Sequence, residues 1–383
     1  MVYFDNAATT FPKPEVVYSF MDSFYRTNGV NVGRGQFTAA SVASRLVEET
    51  RSLLLTMFYC NKSKAVIFTP SATEALNMVL QGLSWEDGQT VYITPFEHNA
   101  VLRTLTYIMQ IYDIKIKYLE PDKKTLRFDF EKIKYDFQTT KPNYVILAHA
   151  SNTFGCITPI KDICSLAKDF GATTVIDMAQ TSGLIDINLN EIKGDYCIFA
   201  GHKTLYGPFG IAGFISDKEC NLKPLIYGGT GLDSANPSMP STVPERYEAG
   251  SPNIGAIAGL NAALKWIGDT GIENIRIKEK ETTVKLLNML KNYYNIKVIR
   301  GADESQNIGV ISCVFNGYSS DNVGQILSEK GFAVRTGLHC APVAHKFMGT
   351  APDGTVRFSI SYFTSDDDLL MLKNALDYIE MNG

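Results

Sequence analysis

The sequence has no apolar run approaching the roughly 20 residues needed to span a bilayer, which excludes a helical membrane protein as its reading. It contains neither G-x-x-x-x-G-K-[ST] nor G-x-G-x-x-G, so the common loops for nucleoside triphosphates and dinucleotides are missing. Charge of one sign is also missing: 36 basic and 40 acidic residues are interspersed, for a net charge of −4. A nucleic-acid face and a membrane-surface face are thereby disfavoured. Seven cysteines are scattered without C-x-x-C or zinc-like spacing, which leaves no metal site in view. In a reducing compartment most of them read as small buried apolar residues. Met1–Asp5 lacks the basic and apolar regions of a secretory signal, and the expectation is a cytoplasmic protein. There is no internal repeat and no low-complexity tract.

What is present is an ordinary globular composition, 45% hydrophobic and 20% charged, at a length that suits a large domain plus a smaller one. Strands are predicted at 65–69, 90–94, 144–147, 173–176, 196–199 and 211–215, with helices at 71–83, 98–111 and 160–170. That alternation predicts an α/β domain with a mainly parallel sheet covered on both sides. After about Ser251 the pattern changes. Helices at 254–269, 272–294, 321–330 and 366–381, with strands at 297–299, 308–315 and 356–359, predict an α+β unit. Gly228–Pro244, rich in Gly, Pro and Ser, reads as a long surface or interface loop.

Gly201-His202-Lys203 follows the strand at 196–199, with Asp177-Met178-Ala179-Gln180 upstream. A lysine after a strand is ordinarily a solvated loop residue, but this one sits between a buried strand and the turn-forming Tyr206–Gly210. Asp177 closes a strand, where a carboxylate commonly forms a turn or cap. Ser71-Ala72-Thr73-Glu74 makes an S-x-x-E capping box between a strand and a helix, a sufficient structural reason for it. The same geometry leaves backbone N–H groups and the helix dipole available to a phosphate. Glu97-His98 and Ser151-Asn152 also follow strands. Open parallel sheets bind ligands beyond the carboxyl ends of their strands, so Ser71, Thr73, His98, Asn152, Asp177, Gln180 and Lys203 are predicted to converge there. Downstream, Arg335-Thr336-Gly337-Leu338-His339-Cys340-Ala341-Pro342 is rich in turn formers, and Arg335 and His339 would favour the Cys340 thiolate. Arg357 lies in the strand-like Thr355–Ser359, where burial demands an anion. That anion is either an internal carboxylate or the carboxylate of a ligand.

In this order, with Thr9 and Thr10 ahead of them and Ser151-Asn152-x-x-Gly155 between, these motifs resemble class V aminotransferase-fold enzymes. Within that group they are similar to the group II cysteine desulfurases and selenocysteine lyases. The resemblance runs from Phe4-Asp5-Asn6-Ala7-Ala8 to the Arg357–Ser361 segment. It implies an α/β fold, the fold type I of transferases dependent on pyridoxal 5'-phosphate. The large domain, with a mainly parallel seven-stranded sheet, would span 15–262, and a smaller α+β domain 263–383 together with 1–14. It also implies roles. Lys203 attaches the cofactor covalently, His98 stacks on its ring, Asp177 pairs with the ring nitrogen, and Gln180 and Asn152 bond the phenolic oxygen. The Ala72 amide, Thr73 and His202 hold the phosphate, joined by Ser251 from the other subunit of a homodimer. Arg357, with Asn152 and Arg335, binds the substrate, and Cys340 takes the sulfur. Three positions depart from the family's usual residues. Ala200 stands for a Ser or Thr at the phosphate, Leu338 for a His before His339-Cys340, and Phe363 for a polar residue near the carboxylate site.

The implied activity takes sulfur from L-cysteine onto Cys340 as a persulfide, releases L-alanine and delivers the sulfur to an acceptor protein. The rival readings are a selenocysteine lyase acting on L-selenocysteine, or another lyase or epimerase with Cys340 incidental. A non-catalytic cofactor-binding partner in sulfur trafficking is the rival of a different class.

Overall fold

The computed structural model describes residues 1–32, 35, 37–231 and 235–381. The chain begins with β1 (Val2–Tyr3), α1 (Glu15–Asn28) and α2 (Thr38–Met57). An alternation follows: β2 (Lys64–Thr69), α3 (Ala72–Gly82), β3 (Thr90–Ile93), α4 (Asn99–Ile108), β4 (Lys115–Tyr118), α5 (Phe130–Thr139) and β5 (Tyr144–Ala148). It continues with α6 (Ile160–Asp169), β6 (Thr173–Asp177), α7 (Leu189–Ile192), β7 (Tyr196–Ala200) and β8 (Ala212–Asp217). The C-terminal part holds α8 (Ile254–Thr270), α9 (Ile272–Leu290), β9 (Ile296–Ile299), β10 (Val310–Phe315) and α10 (Ser320–Glu329). It ends with β11 (Phe332–Ala333), β12 (Arg335–Gly337), α11 (Pro342–Met348), β13 (Thr355–Ser359) and α12 (Asp366–Met381).

The large sheet has seven strands in the order β2-β8-β7-β6-β5-β3-β4. Strands β7, β6, β5, β3 and β4 are mutually parallel, and β8 runs against both of its neighbours. Strands β5 and β7 are buried along their whole length, the continuous apolar pattern of a sheet covered on both faces. Alternate residues of β7 feed two cores. Cys197 and Phe199 pack with Leu46, Ile163 and Ile257, whereas Tyr196 and Ile198 pack with Leu76 and Leu105. No helix among the described residues is long and apolar enough to cross a membrane.

Strands β12-β13-β10-β9 form an antiparallel sheet whose core includes Leu286, Leu327 and Leu372. β1 pairs in parallel with β11, so the chain starts in this C-terminal unit. It then crosses to the large sheet. The Ser359 N–H donates to Phe4 O at 2.7 Å, Asn6 Nδ2 donates to Ser359 O at 2.9 Å, and Thr10 Oγ1 donates to Lys203 O at 3.0 Å. Residue 262, the expected end of the large domain, lies inside α8, which packs on α1 and α2. Of the long loop expected at 228–244, Leu232–Ser234 lie outside the described residues and the rest forms no helix or strand.

Strand β2 is an open edge of the large sheet, and an ion pair covers part of it. Arg51 Nη1 donates to Val66 O at 2.5 Å and to Glu248 Oε1 at 2.9 Å, while Nη2 donates to Glu248 Oε2 at 2.7 Å. Glu248 Oε1 in turn accepts the Phe68 N–H at 2.6 Å. The bidentate pair thus gives two edge groups of β2 partners and ties α2 to the segment before Ser251. Glu248→Ala leaves the largely buried Arg51 guanidinium with only Glu48, 3.2 Å from its Nε, and the Val66 carbonyl, and is expected to cost about 2 kcal/mol, read as a lower urea midpoint. A loss below about 1 kcal/mol would place the pair among ordinary surface bridges.

Candidate active site

The carboxyl ends of the central strands open onto one cavity of about 210 Å³. β6 ends at Asp177, β7 leads through Gly201 to Lys203, β2 leads to Ala72 and Thr73, β3 to His98 and β5 to Asn152. Gln180 and His202 also line it. The C-terminal unit adds Arg335 and Arg357, directly opposed across β12 and β13, and Ala7 and Ala8 of the crossing segment close the wall. Cys340 is not on this wall. It lines an adjoining cavity of about 320 Å³ that shares Thr73, His98 and Ala100 with the first. Ser251 is exposed and lies on neither cavity of its own chain.

The Lys203 turn is tightly built. A Cβ on Gly201 would sit 2.5 Å from the Ile211 carbonyl oxygen, so only glycine fits where β7 passes the start of β8. The crossing segment straps the turn down. The His202 carbonyl accepts from Thr10 N at 3.2 Å, Thr9 Oγ1 at 2.9 Å and Lys13 Nζ at 2.6 Å. Burial lowers Lys13 itself to about 7. Lys203 and Asp177 are half-buried and line the cavity. Burial lowers the Lys203 amine; Asp177 and Cys340 oppose this, and Arg357 and Arg335 add to it. Burial raises the Asp177 carboxyl, against the pull of Lys203 and of the Ala179 N–H.

At the start of α3, Ser71 Oγ accepts the Glu74 N–H at 3.1 Å and so forms its half of the capping box. His98 caps α4: its Nδ1 accepts the Ala100 N–H at 3.0 Å, which places the ring proton on Nε2. Burial, with Lys203, Arg335, Arg103 and Arg357 adding to it, lowers this ring to about 4, so it is neutral near pH 7. Glu97, to which the sequence reading gave no role, is fully buried beside His98 in the chain and ties two strands together. Its Oε1 accepts from Thr94 Oγ1 at 2.6 Å and from the Ala148 N–H at 2.9 Å, joining the ends of β3 and β5. His202 stacks on Phe209, with centroids 4.7 Å apart, and its Nδ1 is buried without a partner.

Arg357 has an internal anion. Its Nη2 donates to Asp5 Oδ1 at 2.5 Å and its Nη1 to Asn152 O at 2.8 Å, while Nε has no partner. Asp5 is a second residue that sequence reasoning missed. Two guanidiniums facing each other across one strand pair repel, and an anion between them relieves that. Arg335 Nη2 lies 3.4 Å from Cys340 Sγ.

His339 and Cys340 both adopt left-handed backbone, at φ 47° and 58°, which costs non-glycine residues about 1–2 kcal/mol each. The loop is held there from the large sheet: Asn152 Nδ2 donates to His339 O and the Asn99 N–H to Cys340 O, each at 2.7 Å. The expectation that His339 charges the thiol's surroundings is corrected. Its ring turns to Thr355 Oγ1 at 3.0 Å, and burial, with Arg357, His345 and Arg335 adding to it, pushes it to about 2. Arg335 is thus the cation at the sulfur. Of the three departures, Ala200 is fully buried at the end of β7, Leu338 is exposed, and Phe363 stacks on Trp266.

A mainly parallel sheet with a buried amine and carboxyl at its carboxyl edge, roofed by a smaller unit that brings arginines, defines the fold type I architecture of pyridoxal-phosphate-dependent transferases. The chain belongs to the aminotransferase class-V family, whose model matches residues 2–372. A probable cysteine desulfurase of Pyrococcus abyssi is 31% identical over 96% of this chain and 92% of its own length. Another, from Methanothermobacter thermautotrophicus, is 30% identical over 100% of this chain and 95% of its own. The apo structure of a cysteine desulfurase from Thermococcus onnurineus NA1 matches with a TM-score of 0.92 at 27% identity, covering 100% of this chain and 95% of that one.

His149, just past β5, shows how this edge treats charge. It is buried against Thr181 Oγ1 at 2.9 Å, and burial, with Arg276 adding to it, lowers it to about 3. A histidine held neutral in the fold takes up a proton on unfolding below its ordinary value near 6.5, so its contribution falls as pH falls. His149→Asn is expected to gain on the wild type by about 1.4 kcal/mol per pH unit between pH 6.5 and 4. Urea unfolding at several pH values reads this, and a pH-independent difference would refute it.

Proposed function

We propose that this chain is a pyridoxal-phosphate-dependent cysteine desulfurase that moves the sulfur of L-cysteine onto Cys340. The observation that carries this reading is the gathering of Lys203, Asp177 and two opposed arginines around one cavity, with the Cys340 thiol held against Arg335 beside it. The residues present fit the cofactor. The Ala72 amide, Thr73 and the unpartnered His202 Nδ1 would hold its phosphate at the start of α3. Asp177 would pair with the ring nitrogen, His98 would lie on the ring, Gln180 and Asn152 would serve the phenolic oxygen, and Lys203 would attach it. When bound, pyridoxal phosphate supplies an electron sink for a carbanion at the substrate Cα.

The chain's own residues do the rest. Arg357 and Arg335 bind the substrate carboxylate and set Cα beside Lys203. The Lys203 amine, its proton affinity lowered by burial, takes the Cα proton. The Cys340 thiolate, steadied by Arg335, attacks the substrate sulfur. An S–S bond forms as the Cβ–S bond breaks, the carbon fragment keeps the electron pair, and protonation completes L-alanine. The persulfide faces the adjoining cavity, where Asn99, Arg103 and Tyr107 line the approach for an acceptor thiol. The working unit in this reading is a homodimer, with Ser251 reaching the partner's phosphate site.

Lys203→Ala is expected to carry no cofactor that borohydride can fix to the chain, and to lose all turnover. Cys340→Ala should bind cofactor normally yet release little or no alanine from L-cysteine. Selenocysteine, with its weaker C–Se bond, should still be cleaved by it. Alanine release from cysteine at the wild-type rate would remove Cys340 as the acceptor. Light scattering that finds a fully active monomer would remove Ser251 from the site.

A further inference from the structure

Tyr206 is fully buried, and its hydroxyl joins three parts of the chain. Its backbone N–H donates to Lys203 O at 2.8 Å and closes the turn that carries the amine. Its hydroxyl donates to Glu279 Oε1 in α9 at 3.0 Å and accepts the Tyr362 N–H, just beyond β13, at 3.0 Å. Arg357 lies in β13, so one phenol connects the lysine turn to the end of the arginine strand.

Packing alone does not call for these polar groups. The Tyr206 ring already sits against Trp266 and Phe363, with centroids 5.0 and 6.0 Å away, and a phenylalanine would keep both contacts. Glu279 is 5% exposed and makes its hydrogen bond to Tyr206 on the side of α9 that faces the turn. Burying a carboxyl is costly unless it is hydrogen-bonded, and a leucine there would avoid that cost. What the pair adds is a directional chain, Tyr362 N–H to Tyr206 hydroxyl to Glu279, whose links strengthen one another.

We propose that Tyr206 and Glu279 are positioning residues that lock the Lys203 turn to the end of β13, fixing the separation between the Lys203 amine and the Arg357 guanidinium. This rests on the reading above, in which those two groups hold cofactor and substrate carboxylate. Neither positioning residue touches the cavity.

The test uses the holoenzyme with three variants. In Tyr206→Phe, hydrogen exchange in peptides covering 201–207 and 360–364 should quicken roughly tenfold, the scale of one lost buried hydrogen bond. KM for cysteine should rise by a similar factor while kcat falls less, because a misplaced carboxylate clamp weakens binding first. Glu279→Leu should behave like Tyr206→Phe. Glu279→Gln keeps an acceptor oxygen for the phenol and should restore both readouts to within about twofold. Unchanged exchange and an unchanged KM in folded Tyr206→Phe would overturn the proposal, as would failure of Gln to rescue. Should Glu279→Leu not fold, the comparison of Tyr206→Phe with Glu279→Gln still decides. A wild-type enzyme without desulfurase activity would sink the functional reading, whereas the exchange result tests the lock by itself.

Discussion

The site rests on desolvation: an amine and a carboxyl share a cavity deep among buried side chains, where neither is at ease with its charge. Burial is the largest influence on both Lys203 and Asp177, pushing the amine down and the acid up, and each only partly restores the other. The same pressure keeps His98, His149, His202 and His339 neutral. The result is a pocket whose imidazoles are uncharged near pH 7, so that they bond through one N–H and one lone pair each, and whose firmest positive charges are the Arg335 and Arg357 guanidiniums. A ligand bearing a phosphate and a carboxylate meets N–H and O–H donors at one end and arginines at the other.

The supports of this pocket come from two units that the chain interleaves. The large sheet supplies the floor, because the ends of β2, β3, β5, β6 and β7 all lie on one edge. The C-terminal unit supplies Arg357, Arg335 and the strained Cys340 loop, and Asn152 bonds to two of these, the loop and Arg357. Its side chain holds His339 O and its carbonyl accepts from Arg357. Strain at His339 and Cys340 is therefore not borne locally. It is carried by hydrogen bonds from α4 and the end of β5, across the seam between the units.

How much of this the sequence displayed depended on range. Strands β5 and β7 are apolar throughout, and α3 opens with Ser71 and Glu74, so their kind and place could be read from short windows. The convergence of Thr73, His98, Asn152, Asp177 and Lys203 followed from those strand ends alone, and the cavity holds all of them. Helices α1, α2 and α5 carry no motif and received no assignment, and the short edge strand β4, Lys-Ile-Lys-Tyr, is too charged and exposed to stand out. His339 was misjudged because adjacency in sequence says nothing of ring direction once the backbone turns left-handed. Asp5 could not be found locally, since its partner is 352 positions away. Only the family likeness of Phe4–Ala8 pointed to that stretch at all.

That distance has a consequence for the order of assembly. Residues 2–13 leave the ribosome long before their partners Phe332, Arg357 and Ser359, which lie more than 300 positions downstream. The large sheet, whose strands end by Asp217, can collapse while synthesis is still under way. The strap over the Lys203 turn and the carboxylate beside Arg357 cannot both be seated until the final strands arrive. A nascent or truncated chain thus has the floor of the pocket without its roof, and an amine still open to water. The amine is roofed only after β12 and β13 have been made, so the chemistry it supports is withheld until synthesis has passed Ser359.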